Sequence, residues 1–175
     1  PESIKFGVPA RPMTPSVRQV VTLDELTRLQ ELETPSEDVT IVAASTLILL
    51  SEGVTLPSDV RWCAFQQQDG AGLIRRIEVL EPEDVPDFKL RALRRFLSID
   101  AYNPVSLAET SNAAANLAVW ILRVIAAHPA GGAYIKEVRS ALVDWDFLQS
   151  KSRKKEKKRR SKKGGAIPPD GGGRH

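Results

Sequence analysis

A chain of 175 residues with 42% apolar side chains supports one domain with a modest core plus tails. Its single cysteine, Cys63, excludes an internal disulfide framework and suits a reducing compartment. The net charge of +3 and the pI near 9.2 hide an asymmetry: residues 151–163 (KSRKKEKKRRSKK) hold ten Lys/Arg and one Glu, a net of +9, whereas residues 1–150 sum to −6.

Residues 1–18 contain Pro1, Pro9, Pro12, Pro15 and Gly7 with little periodicity, and read as an extended, disordered arm. Val20 to Glu33 places Leu23, Leu26, Leu29 and Leu32 three apart. This predicts an amphipathic helix with Thr22 and Glu25 at capping-box spacing, too short to define a coiled coil alone or to set an oligomeric state. Pro35 breaks it. Ser36 or Thr34 can cap the next helix, whose body Val39 to Leu50 is apolar on most faces and therefore buried. Pro57-Ser58-Asp59 opens a short helix through Trp62 and Phe65, and Asp69-Gly70-Ala71-Gly72 reads as a turn. Leu73 to Leu80 is a short helical or irregular segment exposing Arg75 and Arg76.

After the break at Pro82 to Pro86, Asp87 can cap Phe88 to Leu97. There Phe88, Leu90, Leu93, Phe96 and Leu97 face the core, and Lys89, Arg91, Arg94 and Arg95 face water. That basic face reads either as a solvated surface or as an anion contact. Asn103 to His128 predicts a central buried helix, capped by Asn103, started by Pro104 and stopped by Pro129, Gly131 and Gly132. It carries one charge between Ser111 and Ala127, Arg123. With Asn112 and Asn116 this argues against a membrane span. Leu117, Trp120 and the more distant Trp62 are expected in the core. Tyr134 to Leu148 gives a last amphipathic helix with Ile135, Val138, Leu142, Trp145 and Leu148 on one face. The predicted fold is all-α, a compact bundle of about six helices over residues 19–150, followed by a disordered basic tail over 151–175.

The chemistry is sparse. His128 and His175 have no ligand-type neighbours at metal spacing, so no metal site is expected. Cys63 beside Trp62 reads as a buried, inert thiol. Gly70 and Gly72 lack the Lys-Ser/Thr pair of a phosphate loop. No enzyme activity and no cofactor are expected. No signal peptide or transmembrane run is visible, which places the chain on the cytosolic side. An opening Pro1 in place of Met is expected of a fragment or a processed product.

The joint order of these pieces resembles a known family. A leucine-spaced helix ends before Pro35 and the apolar run Val39–Leu50, followed by Gly53 and Trp62. An Asp84-Val85 turn precedes a basic helix, and Ser111, small residues and Trp120 close the series. This is similar to the microtubule-binding domain at the tip of the dynein heavy-chain stalk, over residues 20–127 and without a gap from Tyr102 to Trp120. The resemblance implies a small helical bundle that contacts the acidic tubulin surface through basic residues. Several of those positions differ. Glu37 and Asp38 lead into the helix where a lysine is usual near Thr40, and Glu109 and Val119 replace two further basic residues, leaving Arg75 and Arg76 to stand for a third contact. The family's returning coiled-coil arm is interrupted by Pro129 and Gly131-Gly132. This reads as a stalk-tip fold detached from a motor, in which acidic or neutral residues stand at most of the family's basic positions.

Two functional readings follow. In the first the chain is a non-enzymatic module of the microtubule cytoskeleton, in the cytoplasm or a cilium. Lys154, Lys155, Lys157, Lys158, Arg159 and Arg160 then contact tubulin or another acidic protein surface, with Arg75, Arg76, Arg94 and Arg95 as further contacts. In the second the bundle is a protein-interaction module, and the tail is a nuclear-targeting or RNA-phosphate-binding segment, without base stacking because it has no aromatics.

Overall fold

The computed structural model describes residues 20–163 apart from 98 and 100. The expected arm over residues 1–18 and the tail beyond Lys163 lie outside the described residues. Among them are eight α-helices and no strand: α1 (Leu23–Gln30), α2 (Glu37–Leu50), α3 (Trp62–Gln66), α4 (Gly70–Val79), α5 (Asp87–Leu97), α6 (Pro104–Thr110), α7 (Asn112–Ala127) and α8 (Ile135–Lys163). Short 3-10 turns lie at Pro82–Asp84 and Pro129–Tyr134.

The caps read from sequence start the helices. The Thr22 hydroxyl accepts from the Glu25 amide at 3.3 Å while a Glu25 carboxylate oxygen accepts from the Thr22 amide at 3.0 Å, closing a capping box. Ser36 caps α2, and Asn103 caps α6 with Pro104 in its first turn. Asp69 caps α4 by accepting from Gly72 N at 2.8 Å, so the predicted turn at Gly70 is the first turn of a helix. α3 starts at Trp62 rather than near Pro57. Asp59 instead grips Arg61 through the backbone amide and the guanidinium, at 2.9–3.0 Å, and this holds its carboxyl down at about 2.

The predicted central helix is two helices. At Ser111 the chain is extended and its hydroxyl accepts from Ala114 N at 3.3 Å, so the residue read as helix interior is the N-cap of α7. α7 is then the axis of the fold, packed against α1, α2, α6 and α8. Ala113–Ala115, Leu117, Trp120, Ile121, Leu122 and Ile125 are all at most 3% exposed. Burying a helix on so many sides requires small residues at close approaches and no charge except where the helix reaches water, which is where Arg123 stands.

Two polar residues are buried, and one of them, Lys89, lies on the face that the pattern assigned to solvent. Lys89 is 4% exposed, and its Nζ donates to the carbonyl of Leu49 at 3.3 Å and to that of Ser51. The cation thereby closes the C-terminal end of α2, where the dipole is negative, and burial lowers its pKa below the usual lysine value. His128 is 6% exposed at the end of α7. Its Nε2 lies 2.7 Å from the Val85 carbonyl, and its Nδ1 accepts from Ala130 N at 3.0 Å, which puts the ring proton on Nε2. The reverse correction applies to Cys63, which is exposed. Trp62 is half-buried rather than central; it stacks on Phe65 with ring centroids 5.4 Å apart and donates from Nε1 to the Leu32 carbonyl.

Pro129–Tyr134 interrupts the chain after α7 as expected, but a 29-residue helix follows. α8 was expected to end near Leu148 and to give way to a disordered tail at 151. It runs through Lys163 instead. Lys, Arg and Glu are good helix formers, and Glu156 pairs with Arg160 one turn on at 2.7 Å, which offsets part of the repulsion between like charges.

Candidate partner-binding surface

α8 changes character along its length. Val138 and Trp145 are buried against the bundle, and Ala141 and Leu142 half-buried. Leu148, expected on the packed face, is 39% exposed, and the Ile135 side chain lies outside the described ones. From Lys151 to Ser161 every side chain is exposed. Ten cations within 13 residues of a helix occupy all of its faces, so this stretch is a positively charged rod about 20 Å long. The Lys151 ammonium lies over the Phe147 ring at 4.3 Å, at the boundary between the packed part and the rod.

At the root of the rod α7 and α8 enclose a groove of about 740 Å³. Asn116, Val119, Trp120 and Arg123 recur at helical spacing on one wall, and Trp145, Gln149, Arg153 and Lys154 on the other. Trp120 and Trp145 lie along the groove almost wholly covered, at 2% and 8% exposed, beside the polar Asn116, Gln149 and Ser150. Its rim carries Arg123, Arg153 and Lys154 against one acid, Asp146. Three cations to one acid make this rim suited to a carboxylate. A second groove of about 350 Å³, near Tyr102 and Ser140, is lined by one cation, Lys136, and one acid, Asp144, and has no such bias.

The ten cations singled out from sequence do not converge. Lys154, Lys155, Lys157, Lys158, Arg159 and Arg160 share α8, with Lys154 alone on the groove rim. Arg75 and Arg76 stand on α4. The Arg75 guanidinium approaches Asp69 at 3.9 Å, and that of Arg76 donates to Gln68 Oε1 at 2.9 Å. Arg94 and Arg95 are exposed on α5, with the Arg95 guanidinium 4.6 Å from the centre of the Phe96 ring. None of these four lines either groove. Arg123 and Arg153 were not among the ten. The signal for Arg123 was in the sequence, as the lone charge in an otherwise apolar helix. Among the described residues no group of three His, Cys, Asp or Glu side chains could hold a metal ion, and no helix is long and apolar enough to cross a membrane.

An all-helical bundle organised on one apolar helix, with a long helix leaving it, is the class of structure defined here. The chain belongs to the family described as the microtubule-binding stalk of dynein motor, whose model matches residues 9–142. It is 25% identical over 104 residues to dynein axonemal heavy chain 17 of Homo sapiens and of Mus musculus, a stretch covering 58% of this chain. It is 24% identical over 126 residues, 71% of this chain, to dynein axonemal heavy chain 9 of Homo sapiens. The matched stretches span only 2–3% of those relatives. The family match ends before the basic rod begins.

Proposed function

We propose that this chain is a microtubule-binding module of the cytoskeleton, axonemal in setting, and that it holds the acidic tubulin surface with the basic rod of α8 and the groove at its root. The observation that carries this reading is the displacement of positive charge. The stalk-type bundle has acids or neutral residues at Glu37, Asp38, Glu109 and Val119, while eight exposed cations against one acid, a net +7, stand between Lys151 and Ser161 on the helix that leaves it. Individual exposed ion pairs contribute little, about 0–1 kcal/mol each. Ten cations facing one acidic polymer act together, raise the rate of encounter and are weakened by salt. Family membership and the axonemal relatives support tubulin as the acidic partner. Nothing in this reading requires catalysis.

Co-sedimentation with microtubules at low salt separates the rod from the rest of the surface. The variant with Lys154, Lys155, Lys157 and Lys158 all changed to Gln is expected to lose pelleting, and R75Q/R76Q and R94Q/R95Q to keep it. Pelleting unchanged by the fourfold substitution would exclude the rod as the anchor and move the contact to α4 or α5.

A further inference from the structure

Within the rod, one hydroxyl stands among the cations in a way no other serine of the chain does. Ser161 is exposed and follows four consecutive cations, Lys157, Lys158, Arg159 and Arg160; Ser98 has Arg94 and Arg95 upstream but follows Phe96 and Leu97 directly, and Ser152 follows only Lys151. The Ser161 Oγ donates to the Lys158 carbonyl at 3.0 Å, two residues before the last residue of α8, and Gly164 and Gly165 follow in the sequence. A last helical turn followed by poor helix formers opens at low cost, which presents the hydroxyl in extended form. Protein kinases with acidic substrate clefts select serines by cations on the N-terminal side, a choice made by charge pattern.

We propose that Ser161 is a phosphorylation site for a basophilic serine/threonine kinase, and that its phosphate weakens the grip of the rod on acidic partners. The biological consequence rests on the microtubule reading; the site itself does not. The Ser161 oxygen attacks the γ-phosphorus of ATP, the bond from that phosphorus to the bridging oxygen of ADP breaks, ADP leaves, and the hydroxyl proton goes to the kinase base. The added phosphate carries about −1.5 to −2 charges and takes the rod from +9 to about +7. Lys157 and Lys158 lie four and three residues back, where they can pair with the phosphate and are withdrawn from external contacts. A negative group at a helix C-terminus also opposes the dipole and loosens the last turn.

The test treats the full chain with a basophilic kinase and Mg-ATP, maps the product by fragment mass, and elutes it from immobilised polyglutamate and from microtubules. One phosphate on Ser161, absent in S161A, is expected, with elution at lower salt and microtubule affinity weakened about threefold or more. Phosphate only on other serines, such as Ser98 or Ser152, or on none overturns the site. Phosphate on Ser161 with unchanged elution overturns the switch. An elution shift on polyglutamate, together with an unmodified chain that does not pellet with microtubules, upholds the site and contradicts the microtubule reading instead.

Discussion

Lys89 and Tyr102 show how single buried polar groups hold the bundle together. Lys89→Met keeps the aliphatic stem but leaves the Leu49 and Ser51 carbonyls without their donor. It is expected to lower stability by about 1–3 kcal/mol, read as a fall in the urea midpoint at unchanged slope. Tyr102 is 2% exposed, with its hydroxyl 2.6 Å from Ser45 Oγ, and burial pushes its pKa well above the usual 10.0. The folded state therefore keeps a proton that the unfolded state releases above pH 10. The stability this contributes is complete below pH 10 and is lost as pH rises toward the folded value. Tyr102→Phe should cost about 1 kcal/mol at pH 7 and lose less stability than the parent between pH 9 and 11, in parallel urea titrations. Equal alkaline losses would mean the phenol reaches water in the folded state. Neither role was visible beforehand. Lys89 sits in a run whose spacing assigns every cation to solvent, and only the incoming end of α2 makes burial favourable there. Arg123 was legible as an odd charge, but its groove required α8 to be brought alongside.

At the scale of elements, the junction between α7 and α8 is decided by one close approach. A Cβ on Gly131 would lie 1.9 Å from the carbonyl oxygen of Ile125, while one on Gly132 would meet nothing within 4 Å. Gly131→Ala must shift the turn that sets the direction of α8, with an expected loss of about 2 kcal/mol or more, while Gly132→Ala is near neutral. Thermal unfolding of the two variants side by side checks this; equal midpoints would show that the turn adapts freely. Elements bounded by side-chain caps, such as α1, α2 and α6, were legible because Thr22, Ser36 and Asn103 act locally. The break at Ser111 was not, since a serine in a small-residue run reads as interior until the α6–α7 packing shows the bend. The helical tail was hidden for a related reason. Repulsion among its cations argued for disorder, whereas helix propensity and continuity with a docked helix carry α8 through Lys163.

For the molecule as a whole, fold class and family were legible because they rest on the order of apolar and capping segments, which survives divergence to 25% identity. The site was not legible in the same way. The rod lies beyond the family match, and its groove joins residues some thirty positions apart. The central claim is that an acidic stalk-type bundle has moved its positive charge onto the helix that leaves it. The measurement that reaches this most directly is microtubule co-sedimentation of the full chain across a salt series, beside the fourfold Lys→Gln variant of the rod. Charge carried by the rod predicts pelleting at about 50 mM salt that falls steeply by about 200 mM, and none for the variant at either concentration. Absence of pelleting by the full chain at low salt, or pelleting that neither salt nor the substitutions reduce, would contradict it.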